Sequence, residues 1–534
     1  MRGAHRSLLA FASGIAALGA FSTEAHATGF TDVGQDITPR EKTTVVLTGS
    51  FRTRGEALVN LDLDRGPTPS GQLLFPVPVD NVKGQTLLHA DTRFRTDVAV
   101  YAPFGGIAVK SRIDVLDNLQ WGSEAQGVPS TTSTQLPANG SNNGRAFRVK
   151  RAWAEASTPF GLLAVGRMGN QWGLGMLANG GDCSDCDSGD AVDRIAFAAP
   201  AVGHIFAAAF DLSSTVQGPL RKDGQRSIGL SPSANTPTVT LAAMKWHSPK
   251  TIARRKKADK ITIDYGGYFS QRWQNRDVPA AYLPGTSATP IGPTQVTGRD
   301  FSATAVDGWL RIIGKHFRVE GEIASLYAKI GQASLLPGLE LRDPITSKQL
   351  GLAVESEYGD PDDIAAVGLD FGYASGDRAP GFGAYPGTTQ KAPRAGDLDG
   401  AQANPPYDTT ANNFRFHSDY RIDRILFREI IGTVTDAVYV RPHFRFDVFK
   451  NAQGRLETQV FGVYSAANYA SSTPGGKSPL GVEIDPSLVY HSRDGLLLAF
   501  DYAVLFPLSG LDNPTLALPA KPAQLARVRA VFAF

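Results

Sequence analysis

Beyond one stretch near its start, this sequence of 534 residues has no apolar run of the ~20 residues a helical membrane span requires. A bundle of transmembrane helices is therefore excluded. Cysteine is nearly absent: two in the whole chain cannot form a disulfide framework. Charge of one sign is not in excess either. The formal net charge of +2 predicts no nucleic-acid partner. Histidines are few and scattered, and His443 is expected to have a structural role. His-Glu-x-x-His, Gly-x-Ser-x-Gly and a phosphate-binding loop are all missing, so the chain is expected not to be an enzyme. No low-complexity linker divides it.

What is present is a rhythm of two. From Val45 to Leu63 the odd positions carry Val45, Leu47, Phe51, Ala57 and Val59, while the even positions carry Arg52, Arg54, Glu56 and Asp62. Leu88, Phe94 and Val98 oppose His89, Arg93 and Asp97, and Ile107, Val109 and Ile113 oppose Lys110, Arg112 and Asp114. The pattern persists to Phe444 and Phe446 against Arg445 and Asp447, and to Leu498 and Phe500 against Asp501. Alternation of this kind gives β-strands with one oily and one wet face. Roughly eighteen strands can be counted, and sixteen is the neighbouring even number. Tight turns such as Pro103–Gly106, Gly314–His316 and Ser492–Gly495 alternate with long connections at 122–145, 275–299 and 378–434. The expected fold is all-β, a transmembrane antiparallel barrel with short periplasmic turns and long extracellular loops. A secreted soluble sandwich would alternate too, but it would not alternate tight and long connections so regularly.

The ends of the chain fit this reading. Arg2, His5 and Arg6 precede an apolar run from Leu8 to Phe21 and then Ala25-His26-Ala27, the pattern of a secretory signal peptide over 1–27. A periplasmic segment is expected over 28–44 and the barrel over 45–534. The last strand, Leu525 to Phe534, sets Ala526, Val528, Ala530, Phe532 and Phe534 on one face and Arg527 and Arg529 on the other. This ending resembles the closing strand of Gram-negative outer-membrane proteins. The resemblance implies residence in the outer membrane, contact with its lipid, and delivery by a barrel-assembly machinery that reads Phe532 and Phe534. Homotrimers are common among such proteins.

The residues with functional potential are charges. Arg52, Arg93, Arg112 and Arg148 lie on the first four strands, and Arg527 and Arg529 on the last, which closes beside the first. Together they would form one basic wall in the lumen, or simply hydrate it and pair with Asp62, Asp91 or Asp97. Of opposite sign is Gly181-Asp182-Cys183-Ser184-Asp185-Cys186-Asp187-Ser188-Gly189-Asp190, after the fifth strand. The strand before it, Gly161 to Arg167, resembles the Gly-x-Gly-Arg-type strand of diffusion porins. In that family the loop after the fifth strand folds into the lumen and its acids face a basic wall. The resemblance thus implies an acidic lip of Asp182, Asp185, Asp187 and Asp190 facing the arginines across a constriction, with a transverse field between them.

For Cys183 and Cys186 a disulfide is the leading expectation, because an exported chain meets an oxidising environment. One Cys-x-x-Cys supplies too few ligands for zinc, and redox chemistry needs a thioredoxin-like context. No cofactor is expected, with Ca²⁺ held by Asp182, Asp185, Asp187 and Asp190 as the alternative. Ile422, Ile425, Leu426 and Ile430 predict a short amphipathic helix between Ser418 and Gly432 that either packs or partly plugs the pore. Arg254-Arg255-Lys256-Lys257 is read as a solvated turn, and Tyr101, Phe104, Trp121, Phe160, Trp172 and Phe506 as interfacial girdles. The functional expectation is a porin passing small hydrophilic solutes, anions included. A substrate-specific or polysaccharide-exporting channel is one alternative, and a barrel enzyme or surface-binding scaffold the other.

Overall fold

The computed structural model describes residues 41–534, apart from 68–72, 127–139, 214–231, 280–292, 379–402 and 404–407 and the single positions 104, 122, 146, 335, 337, 342 and 362. The expected leader and Phe104 lie outside the described residues. Eighteen strands form one antiparallel sheet. They are β1 (Thr44–Val59), β2 (Thr86–Tyr101), β3 (Ile107–Gln120), β4 (Phe147–Thr158), β5 (Gly161–Gly169), β6 (Ala191–Ala201), β7 (His204–Ser213), β8 (Thr236–Lys245) and β9 (Thr262–Asp277). The second half comprises β10 (Thr297–Ile313), β11 (Phe317–Ile330), β12 (Ile345–Tyr358), β13 (Ala365–Ala374), β14 (Ala437–Lys450), β15 (Gly454–Ala467), β16 (Pro479–Ser492), β17 (Leu496–Pro507) and β18 (Ala523–Ala533). A separate parallel pair, Ser123–Gln126 with Gly140–Arg145, stands in the β3–β4 connection.

The cylinder closes where β18 pairs with β1, with Phe532 opposite Phe51 and Arg527 opposite Glu56. Beyond it, Phe534 exchanges two backbone hydrogen bonds with Gly49, at 2.9 and 3.0 Å. A Cβ at Gly49 would lie 2.7 Å from the Phe534 ring, so only glycine lets that ring settle beside Phe94. Closure gives each of the eighteen strands a partner on both sides, which hydrocarbon requires because it offers no hydrogen-bond partners.

Period-two alternation places large apolar side chains outside: Phe444, Phe446, Leu498 and Phe500 are exposed, while Arg445, Asp447 and Asp501 on the same strands are buried inside. Trp121, Phe160 and Phe506 are exposed at strand ends, as a girdle requires. Trp172 and Tyr101 are not part of it. Both are buried, because Tyr101 falls on the inward parity of β2 and Trp172 lies in a loop that turns into the lumen.

One rim carries the short turns. Its exception is the β8–β9 connection, which contains α1 (Pro249–Lys257), capped by Ser248 accepting from the Thr251 amide at 3.3 Å. Arg254 to Lys257 thus form the end of a helix, not a simple turn. The other rim carries the long connections, and among the described residues two segments of these enter the barrel: 170–190 between β5 and β6, and 408–436 of the β13–β14 connection. The second brings Phe414, Phe416, Tyr420, Ile422, Ile425, Leu426 and Phe427 into an apolar core shared with Leu58, Leu480, Leu505 and Leu525 of the wall. The expected amphipathic helix does not form there. Only a five-residue π turn, Leu426–Ile430, is present. Carboxylates explain why: Glu483 accepts the amides of Arg424, Ile425 and Leu426, and Asp423 those of Phe427 and Arg428, so these donors are satisfied by side chains rather than by a preceding helical turn.

Candidate functional site: two loops on an arginine wall

The inward parity of β1 to β4 and β18 gathers Arg52 and Arg54, Arg93 and Arg95, Arg112, Arg151, Arg527 and Arg529 on one side of the lumen. The loop 170–190 crosses to them from the opposite side. At its start Trp172 packs among Ala196, Ala207, Ala209, Ala242, Met244 and Trp309, and its ring stands edge-on to Tyr268 at 5.0 Å. The indole N–H donates to Asp307 at 2.8 Å. Next, Glu322 of β11 accepts the Leu177 amide at 3.2 Å.

The tip is pinched at its neck. Gly181, at φ +71°, sits so close to the Ser188 carbonyl that a Cβ would be 2.3 Å away. Within the tip Cys183 and Cys186 are joined by a disulfide. The Cys186 carbonyl accepts Arg93 at 2.7 Å and Arg52 at 3.1 Å.

The acids then dock directly on the guanidinium groups. Asp185 lies 2.6 Å from Arg428, 2.9 Å from Arg529, 3.2 Å from Arg421, 3.3 Å from Arg54 and 3.6 Å from Arg527. Asp187 meets Arg421 at 2.7 Å, Arg52 at 2.9 Å and Arg54 at 3.0 Å. Asp182 pairs with Arg112 and, at 3.2 Å, with Arg151. Burial acts to raise the Asp185 pKa, but the fields of Arg428, Arg529, Arg527 and Arg421 outweigh it and hold the carboxyl well below the usual carboxylate range. The same contest, won by Arg421, Arg54 and Arg52, lowers Asp187.

The expected picture of acids facing bases across a gap is therefore corrected. The lip lies on the wall, because nothing holds the two apart and each charge buried alone would be costly. Two further expectations change. Arg148 does not join the cluster: its side chain is 47% exposed and pairs with Asp117 at 2.9 Å, since it lies toward the long-loop end of β4. Asp190 also stands apart, 3.5 Å from His417. With Asp182, Asp185 and Asp187 each turned onto arginines, the four aspartates do not converge on one point, and no group of three or more possible metal ligands occurs among the described residues.

The second inward loop locks onto the first. Asp419 accepts the amides of Asp187 at 2.9 Å and Ser188 at 3.1 Å, and the Ser188 hydroxyl at 2.8 Å. The His417 amide donates to the Met176 carbonyl at 2.7 Å. Arg54 and Arg95 were legible as wall residues, since each is two positions from Arg52 or Arg93. Arg421, Arg428 and Asp419 were not, because the helical spacing of their loop misstates the path it takes.

No protein-family model matches the sequence, and no curated protein sequence does. Solved structures are similar in fold. OpdK, an outer membrane protein from Pseudomonas aeruginosa, is 8% identical over 92% of this chain and 99% of its own, with a TM-score of 0.44. The outer membrane channel DcaP of Acinetobacter baumannii is 11% identical over 93% and 99%, with a TM-score of 0.39. An anion-selective porin from Comamonas acidovorans is 10% identical over 92% and 100%, also at 0.39. Closed, eighteen-stranded, apolar outside and loop-filled within, the chain has the fold of an antiparallel β-barrel of the kind that crosses membranes with strands.

Proposed function

We propose that the protein is a porin-type channel for passive movement of small hydrophilic solutes, anionic ones included, without covalent chemistry. The observation carrying this reading is the arginine wall with a loop of its own barrel docked on it, since walls of fixed charge set the ion preference of such pores. Two interlocked loops also favour the narrower form of the proposal, a substrate-specific channel, over a wide general pore. Purified barrel in a planar bilayer should give stepwise conductance, and Arg52→Glu with Arg529→Glu should move the reversal potential toward cations. A silent bilayer would refute the channel.

Delivery through the assembly machinery rests on Phe532 and Phe534, both exposed on the outer face beside the closing seam. Association as a homotrimer is supported by the outer wall of β1 to β5. That wall is apolar at Val45, Leu47, Phe51, Leu88, Val109, Leu163 and Val165, but it also carries the small or polar outward positions Thr53, Gly55, Thr92, Thr96, Ser111 and Ala152, beside the half-exposed ion pair of Arg167 with Asp193 of β6 at 2.7 Å. These small and polar positions are what support protein contact there. Native mass spectrometry of the detergent-purified protein checks it, a single-chain mass being the adverse result.

A further inference from the structure

The short-turn rim bears one feature that conduction does not use, the helix α1. Arg255 and Lys256 fasten it to the barrel. Arg255 donates to the Ile261 carbonyl at 2.5 Å and to Thr262 at 3.1 Å, and Lys256 pairs with Asp360 at 2.9 Å. Lys250, Arg254 and Lys257, at i, i+4 and i+7, share the remaining face. All three are exposed, as is Lys260 just beyond, and none of these four side chains has a hydrogen bond or ion pair among the described residues. Lys315 is exposed in the β10–β11 turn on the same rim.

Helix stability accounts for Arg254 and Lys257 in the last turn but not for Lys250. Cations suit the last turn, where the macrodipole is negative, but Lys250 sits in the first turn, which has no acid. Lys250 and Arg254 also repel each other one turn apart. Their position is informative. Leu241 and Ile263, on the strands that α1 joins, and Ile261 just before β9 are exposed, so the helix lies beyond the end of the apolar belt. At that level the bilayer presents phosphates.

We propose that α1 is a docking surface for the phosphate headgroups of anionic phospholipid in the periplasmic leaflet, with Lys250, Arg254 and Lys257 as its contacts. Polybasic segments bind anionic headgroups with about 1 kcal/mol per Lys or Arg near the surface. Removing three such charges should weaken binding on the order of a hundredfold.

The test is native mass spectrometry of the whole barrel in detergent, titrated with phosphatidylglycerol and separately with phosphatidylcholine. The triple variant Lys250→Gln/Arg254→Gln/Lys257→Gln should lose most of its phosphatidylglycerol affinity and keep its weak phosphatidylcholine binding. Lys329→Gln/Lys348→Gln, changing exposed cations of the opposite rim, should bind as the unmodified barrel does. A heat-modifiability gel establishes that each variant is a folded barrel. Unchanged phosphatidylglycerol affinity in the triple variant overturns the proposal, as does an equal loss in the opposite-rim variant. If the triple variant loses only the binding of soluble inorganic polyphosphate, the surface serves a soluble anion and the lipid proposal falls.

Discussion

The loop at 170–190 is fastened at its two ends by different physics. At one end Trp172 is sunk among alanines and Met244, with a single polar bond to Asp307. At the other, Asp185 and Asp187 sit among six arginines, two of them from the β13–β14 loop. The first anchor depends on shape and excluded water, so salt should hardly touch it. The second depends on charge compensation and is only as firm as its weakest partner. One crossing segment thus has a fixed root and an electrically held tip.

The comparison can be broken from either side. Trp172→Ala should have the largest effect, about 3–5 kcal/mol of barrel stability, as the apolar niche empties and Asp307 loses a donor. Thermal unfolding followed by gel mobility measures it, and single-channel records should show the loop wandering. Asp185→Asn should cost somewhat less, roughly 3 kcal/mol, because Asp187 still balances part of the arginine charge. Its signature is functional: larger conductance and a shift toward anions, where Trp172→Ala disturbs both ions alike. If the two variants gave the same selectivity, the distinction between root and tip would fail.

Acid sharpens the contrast. The pKa values of Asp185 and Asp187 are lowered in the folded barrel, so their contribution is full above the unfolded carboxylate value of about 3.9 and lost only as pH falls through the lowered values. The Asp185 and Asp187 contacts should therefore hold the tip from pH 7 to about pH 4, and the tip should loosen only in stronger acid. Loosening near pH 5 would mean that other groups hold it. The smallest effect belongs to Arg148→Gln. That side chain is half exposed and paired only with Asp117, so less than about 1 kcal/mol and no change in selectivity are expected.

The barrel was legible because hydrocarbon imposes a strict rule on every strand, and Phe444-Arg445-Phe446-Asp447 shows that rule directly. The arginine wall followed from the same parity, once β18 was seen to close on β1. What parity cannot convey is reach. Arg148 shares the inward face yet stands too near the long-loop rim to meet the tip. Nor does it report on loops: Ile422, Ile425 and Ile430 had helical spacing, but Glu483 and Asp423 offered the amides better partners than a helix did. Arg421 and Arg428 owe their place to that same loop, whose path is set by tertiary contacts alone.

The pinched neck at Gly181 and Gly189 has a practical side. Because the chain enters and leaves the tip through one backbone contact, residues 182–188 behave as a removable part. An exchanged insert can differ in length and leave the pairing between staves in place, provided it still brings carboxylates to the arginines that Asp182, Asp185 and Asp187 now compensate.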